Sequence, residues 1–114
     1  GDTYSFDFEY QVEDEFGTTA NATVTVQIDL IKKWCIPGVR IETENFIMAV
    51  GSARPMEDAA RMAYRDLIRW MVEDYRFSEP EAYFLATQAG KMRVGNMVDP
   101  KYSLGASMLK KYLA

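Results

Sequence analysis

The stretch "VGSARPMEDAARMAY", residues 50–64, decides the fold, because it carries the chain from a strand into a helix. An apolar run ends at Val50, and the small residues "GSA" (51–53) that follow are typical of a turn. Pro55 is tolerated in the first turn of a helix, and the acidic residues after it favour the positive end of a helix dipole. The stretch therefore predicts a strand, a turn and a helix in direct succession.

Two helices are predicted downstream of this turn. Apolar residues recur at three- and four-residue spacing, while charged residues, Asp66 among them, fill the other positions. This pattern predicts an amphipathic helix over about residues 55–75. The segment "SEPE" then places Ser78 at an N-cap and Glu81 three positions later, which is the capping-box arrangement. It predicts a second helix over about residues 79–89.

Strands are predicted on both sides of the helices. The N-terminal segment alternates between apolar and polar residues and predicts a half-buried strand, which pairs as a hairpin with a second alternating segment near residues 20–30. Its apolar face carries a row of aromatic residues: Tyr4, Phe6, Phe8 and Tyr10. "VRIET" and "NFIMAV" predict two more strands, and short strands are expected near 92–98 and 103–108. The fold class is therefore α+β, with an antiparallel-rich sheet of about four N-terminal strands, two helices and two short C-terminal strands in a single domain over residues 1–114.

Composition argues against several classes of function. The chain has 114 residues, 48% of them hydrophobic, which is enough for one ordinary core. Its net charge of −4 argues against a nucleic-acid partner. No run approaches the roughly 18 apolar residues of a membrane span, and the first residues do not resemble a signal peptide. We therefore expect a cytoplasmic protein without a membrane partner, and the single Cys35, which cannot form an internal disulfide, agrees with a reducing compartment.

Residues that carry chemistry are scarce. The chain has no histidine, so a Ser-His or Cys-His pair and an imidazole metal ligand are absent from it. Glu13, Asp14 and Glu15 lack the ligand spacing of a dedicated calcium site, so a solvated loop is favoured over a metal. Cys35 has apolar neighbours and is favoured as a small buried hydrophobe over a nucleophile.

Two places remain as candidate sites. Glu42 and Glu44 flank Thr43, and paired carboxylates perform acid and base work when burial separates their pKa values, although a surface position is favoured for them. The "GSA" turn is able to present backbone N–H groups to a carboxylate or an oxyanion. The favoured alternative is structural: Gly51 permits the turn, and Ser52 or Ala53 caps the helix.

Four segments together resemble the C-terminal third of the acetamidase/formamidase family: "VTVQIDLIK", "IETENFIMAVGSARPMEDAARMAYRDLIRWMVE", "SEPEAYFLATQAGKMRVGNMVDP" and "SLGASMLKKYL". The resemblance covers roughly residues 22–113 and is most specific in "VGSARPMEDA" and "EAYFLATQAG". It implies a hydrolase that releases ammonia from short linear amides such as formamide and acetamide. It also aligns Glu42 with an acidic position of the family, a catalytic candidate, and Gly51 and Ser52 with the family's turn, as candidates for substrate binding.

The resemblance also implies what this segment lacks. The family's upstream glycine- and aspartate-rich motif, with its histidine, is not present, so we expect no metal or other cofactor to be bound by this segment. A divalent metal is implied only for the full-length enzyme. The first hypothesis is therefore an incomplete amidohydrolase segment that needs a missing N-terminal half. The alternative is a stand-alone, non-catalytic module of the same fold that acts through self-association, as a homodimer or as a subunit.

Overall fold

The computed structural model describes residues 3–13, 15–98 and 100–114, without the side chains of Thr3, Tyr4 and Tyr10. By its internal contacts the chain forms two compact units, Gly1–Cys35 and Ile36–Ala114. The boundary falls just before Pro37 and Gly38, in a segment without regular structure. The single domain over residues 1–114 stays a prediction.

The first unit is the expected hairpin. Strand β1 (Thr3–Glu13) pairs antiparallel with β2 (Thr19–Asp29), and Phe8 lies opposite Val24. Gly17, in the connecting turn, has a φ of 78°, a left-handed conformation that costs glycine little. The alternating pattern is thus correctly assigned to paired strands.

The apolar face of this hairpin is not buried, contrary to the sequence-based prediction. Phe6 and Phe8 are 48% and 56% exposed, and Val24 and Ile28 are similarly open. Tyr4 and Tyr10, which complete the predicted row, lie outside the described side chains. Cys35 is exposed as well, so the prediction that it is a buried hydrophobe is wrong. The hairpin side chains and Cys35 are exposed for the same reason: a two-stranded unit has no second layer of its own to cover an apolar side chain.

The second unit contains a four-stranded sheet. Its strands are β3 (Arg40–Glu42), β4 (Phe46–Ala53), β5 (Lys91–Asn96) and β6 (Tyr102–Leu109), in the spatial order β3-β4-β6-β5. All neighbouring strands are antiparallel, with Ala49 opposite Ala106 at the centre. A short 3-10 helix, Lys110–Tyr112, follows β6.

Two helices accompany the sheet, α1 (Met56–Tyr75) and α2 (Glu79–Ala89). Helix α2 begins as predicted: Glu81 N–H donates to Ser78 Oγ at 3.3 Å, and Ser78 N–H donates to Glu81 Oε2 at 2.9 Å. Helix α1 begins differently, because Pro55 is its N-cap residue and no side chain caps it. The predicted cap by Ser52 or Ala53 is therefore wrong, since β4 continues through both residues.

The core of this unit lies between the sheet and the helices. Its members share near-complete burial and come from one side of the sheet, from α1 and α2, and from the end of the 3-10 helix: Ile47, Ala49, Ala63, Leu67, Trp70, Met71, Ala82, Ala86, Ala106, Met108 and Leu113. An antiparallel sheet with helices on one side is an α+β fold, as the sequence predicts. Neither helix of the described chain is long and apolar enough to cross a membrane.

Candidate functional site

Gly51 is a packing residue at the contact between β4 and α1. It is buried within the strand, so the turn predicted at this position begins only after Ala53. A Cβ atom placed on Gly51 would lie 2.8 Å from the Ala63 backbone nitrogen and 2.9 Å from Met62 Cβ, and still closer to the Ala59 carbonyl oxygen. Only glycine lets the helix approach the strand this closely.

Ser52 lies on the other side of the same strand. Its Oγ is 2.7 Å from the Oγ of Ser103, its register partner on β6, and the hydrogen bond can run in either direction. The serine is exposed. The two hydroxyls form a small polar pair that a ligand or another protein surface can reach.

Glu42 lies at the opposite end of the sheet. It ends β3 opposite Ile47, and Lys110 Nζ donates to its Oε2 at 2.8 Å. The carboxylate is half exposed, which is the surface position favoured from the sequence. An ion pair of this kind orients the side chain and contributes little free energy.

The three predicted site residues are not brought together. Ser52 lies five residues beyond Ile47, the residue opposite Glu42, and a strand rises about 3.4 Å per residue, so roughly 17 Å separate the two positions. Gly51 and Ser52 also face opposite sides of β4, because successive strand residues alternate. The roles of Glu42 as a catalytic residue and of Gly51 and Ser52 as substrate-binding residues therefore stay predictions.

A buried ion pair, which the sequence reasoning missed, links β3 to α1. Arg40 Nε and Nη2 donate to Asp66 Oδ2 and Oδ1 at 3.0 and 2.7 Å, and the two side chains are only 6% and 7% exposed. The Arg40 guanidinium also lies 4.9 Å from the centre of the Trp70 ring. The hydrogen bonds to Asp66 raise the pKa of Arg40 above its ordinary value. Each charge is neutralised and hydrogen-bonded by the other, so the pair joins β3 to α1 without leaving a buried charge unpaired. We call the pair Arg40–Asp66 the clamp.

A signal for this clamp was present in the spacing of α1. Asp66 follows Ala63 by three residues and precedes Trp70 by four, so it lies on the apolar face of the helix. The helix prediction placed Asp66 among the exposed charged residues, and that assignment is wrong. A carboxylate on a buried helix face requires a cationic partner, which here is Arg40.

A pocket of about 270 Å³ adjoins the clamp. Its lining is mainly apolar and includes two arginines and an aspartate: Pro37, Gly38, Val50, Met62, Arg65, Asp66 and Arg69. Both oxygens of Asp66 are occupied by Arg40, so this carboxylate is not available as a general base. Arg69 Nε donates to Glu73 Oε1 at 2.8 Å. The pocket therefore offers mainly apolar surface, with Arg69 already paired and Arg65 as its other cation, and its lining holds no acid and base pair.

The side of the sheet away from the helices is a second concave surface, which we call the open face. It is formed by alternate residues of the four strands and the segment before β3: Val39, Ile41, Phe46, Met48, Val50, Arg93, Ser103 and Gly105. A groove of about 540 Å³ runs across it. Within the described part of the chain, no three cysteine, aspartate or glutamate side chains converge as metal ligands.

Solved structures show what the chain is similar to. An acetamidase from Yersinia enterocolitica has 52% sequence identity and a TM-score of 0.75, over 86% of this chain and 30% of that chain. An acetamidase from Bacillus halodurans has 25% identity and a TM-score of 0.70, over 84% and 32% of the two chains. A predicted acetamidase/formamidase from the thermophile Thermoanaerobacter tengcongensis has 18% identity and a TM-score of 0.68, over 90% and 35%, and supports the fold alone.

Other comparisons add nothing to this result, since no family model and no curated protein matches the chain. The chain spans about a third of the length of the acetamidase structures. Over most of its own length it resembles the acetamidase/formamidase structures in fold, and the Yersinia acetamidase also closely in sequence, which confirms the resemblance that its motifs indicated.

Proposed function

We propose that this chain is the C-terminal segment of an amidohydrolase that cleaves the carbon-nitrogen bond of short linear amides. Formamide or acetamide would react with water to give the carboxylic acid and ammonia. The observation that carries this proposal is the 52% identity to an acetamidase over 86% of the chain. A match over 86% of the chain is far longer than the turn and capping motifs alone.

The segment contributes framework to the enzyme, and the rest of the polypeptide supplies the reacting groups. Two observations support this division of roles. The candidate residues Glu42 and Ser52 lie far apart on the sheet, and the buried carboxylate Asp66 is already paired with Arg40. A divalent metal, as the resemblance implies for the full-length enzyme, would be held by residues outside this chain. We therefore expect the isolated chain to release no ammonia.

The test is a chimera in which this chain replaces the matching third of the Yersinia acetamidase. Ammonia release from formamide and acetamide is measured for the chimera, for the isolated chain and for the parent enzyme. We expect activity in the chimera and none in the isolated chain. A folded but inactive chimera, or turnover by the isolated chain that Glu42→Gln abolishes, would contradict the proposal.

A second candidate function is self-association of a non-catalytic module as a homodimer. The exposed apolar face of the hairpin favours it, because Phe6 and Phe8 each leave about half of their surface open. Aromatic surface of this kind is commonly covered by another chain. Sedimentation analysis tests it: association that Phe6→Ser with Phe8→Ser removes would support the module, and a monomer at high concentration would argue against it.

We also propose that the protein acts in the cytoplasm. Cys35 is a free and exposed thiol, which persists in a reducing compartment. Fractionation of source cells, followed by detection with an antibody against this chain, checks the location. Recovery from the periplasmic or secreted fraction would contradict it.

A further inference from the structure

The two sides of the four-stranded sheet differ in how they are covered. On the side facing the helices, Ile47, Ala49 and Ala106 are fully buried. On the open face, Ile41 is 42% exposed and Val39 is 62% exposed, although both residues are as apolar as those of the core. A sheet that is apolar on both sides is stable in water only when a second layer covers the other side.

The open face has the shape and the chemistry of a packing surface. Val50 lies opposite Gly105, and the absence of a side chain at Gly105 leaves room for the Met48 side chain to lie across β6. The groove that results is lined mainly by apolar residues. Its polar groups are the hydroxyl of Ser103, the side-chain amide of Asn96 and the guanidinium of Arg93, which has no ion-pair partner among the described residues. An apolar surface with a few polar groups is typical of a protein contact surface.

The comparison with the Yersinia acetamidase indicates what covers this surface. This chain matches 30% of that protein, so the larger part of a polypeptide of that length lies outside the match. A second copy is less suited to the open face, because the residues that line its groove include Arg93 and no carboxylate, so a matching open face brings a second arginine and no acidic partner. A different segment of the polypeptide is free to place a carboxylate there.

We infer that the open face packs against the part of an acetamidase-length polypeptide outside the matched segment, which presents apolar side chains to Val39, Ile41 and Met48 and a carboxylate to Arg93. This inference rests on the proposed function. The open face is then an internal contact surface of the enzyme.

Thiol labelling of the chimera tests this assignment. In a Cys35→Ser background, Val39→Cys reports on the open face and Phe84→Cys on the outer surface of α2. The two parent side chains are matched in this chain, at 62% and 64% exposure. Labelling is read by mass spectrometry of the peptide that carries each cysteine. We expect Val39→Cys to react about tenfold or more slowly than Phe84→Cys, because it is reached only by opening of the contact.

Each outcome separates the inference from the proposed function. Equal labelling of both cysteines in an active chimera would overturn the inference and leave the amidase proposal intact. A protected Val39→Cys in a folded but inactive chimera would support the contact surface and contradict the function. Protection that appears only with concentration-dependent dimerisation would assign the surface to a second copy and overturn the inference. Ile41→Cys serves as a second reporter if Val39→Cys does not fold.

Discussion

At the scale of single residues, Gly51 and Gly105 differ in which atoms surround them. Gly51 lies under the backbone of α1, whereas Gly105 lies under the Met48 side chain. A helix backbone has no freedom to move aside locally, but a methionine side chain has three rotatable bonds. The same added methyl group is therefore expected to have very different consequences at the two positions.

Gly51→Ala is expected to lower the free energy of unfolding by about 3 kcal/mol or more, since the methyl group forces α1 away from β4. Gly105→Ala is the matched control and is expected to cost about 1 kcal/mol, because the Met48 side chain can adopt another rotamer. Urea denaturation of the two variants measures both values. Equal losses would contradict the close approach of α1 to β4.

The Arg40–Asp66 clamp gives a second prediction at this scale. Asp66→Ala is expected to lower stability by about 3 to 5 kcal/mol, because it leaves the Arg40 charge buried without a partner. The double variant Arg40→Met with Asp66→Leu should recover most of that loss, since no unpaired charge remains. Thermal or urea unfolding of the single and double variants measures the difference.

An exposed ion pair on α1, Arg61 with Asp58, is the control for the Arg40 and Asp66 variants. Arg61 Nη1 lies 2.9 Å from Asp58 Oδ1, and both side chains are largely in solvent. Asp58→Ala is expected to cost less than about 1 kcal/mol, as exposed pairs generally do. A loss at Asp58 as large as that at Asp66 would mean that burial is not what makes the clamp important.

At the scale of elements, the two helices begin in different ways. Helix α2 has a complete capping box, whereas α1 begins at Pro55 without a side-chain cap and is held instead by its contact with β4. Ser78→Ala is expected to lower stability by about 1 kcal/mol, because the Glu81 N–H loses its acceptor. Thr87→Ala in the same helix is the control and is expected to be near neutral. Urea denaturation distinguishes them, and equal losses would contradict the cap.

The cap also predicts a pH dependence. Hydrogen bonds from the backbone N–H and side chain of Ser78 lower the pKa of Glu81 below its ordinary value of 4.5. Because the pKa of Glu81 is lower in the folded state, the unfolded state binds more protons in acid. The contribution of Glu81 to the free energy of unfolding is therefore complete above pH 4.5 and is lost as the pH falls through the folded-state pKa. Stability measured from neutral to acid pH should therefore fall less steeply in Glu81→Gln than in the parent chain. Identical slopes would contradict a carboxylate acceptor at the cap.

At the scale of the whole molecule, the two units differ in how their backbone amides are protected. The second unit has helices packed on a sheet, whereas the hairpin has two strands with apolar side chains open to solvent. Amides of β1 and β2 are therefore expected to exchange with deuterium faster than those of β4 and β6. Hydrogen-exchange mass spectrometry of the isolated chain measures this, and equal protection would mean that the hairpin is covered in solution.

The elements were predictable because their signals are local. The 3.6-residue period of α1, the capping box at Ser78 and the alternation of the hairpin all depend on residues close in sequence. Two boundaries differ from the prediction. Strand β4 runs through Gly51 to Ala53 because these residues pair with β6, about 50 residues away. Strand β5 ends at Asn96, whose side-chain amide donates to the carbonyls of Val98 and Lys101. Asp66 was misplaced because its partner Arg40 lies 26 residues away.

The sequence by itself determined the α+β class, the order of strands and helices, and the resemblance to the acetamidases, since these follow from periodicity and from contiguous motifs. Only the tertiary structure decided which face of the sheet is covered, that Glu42 and Ser52 lie at opposite ends of it, and that Asp66 is buried against Arg40. These properties depend on residues brought together from distant parts of the chain. A local pattern fixes where a side chain points within its own element, but packing decides what that side chain meets.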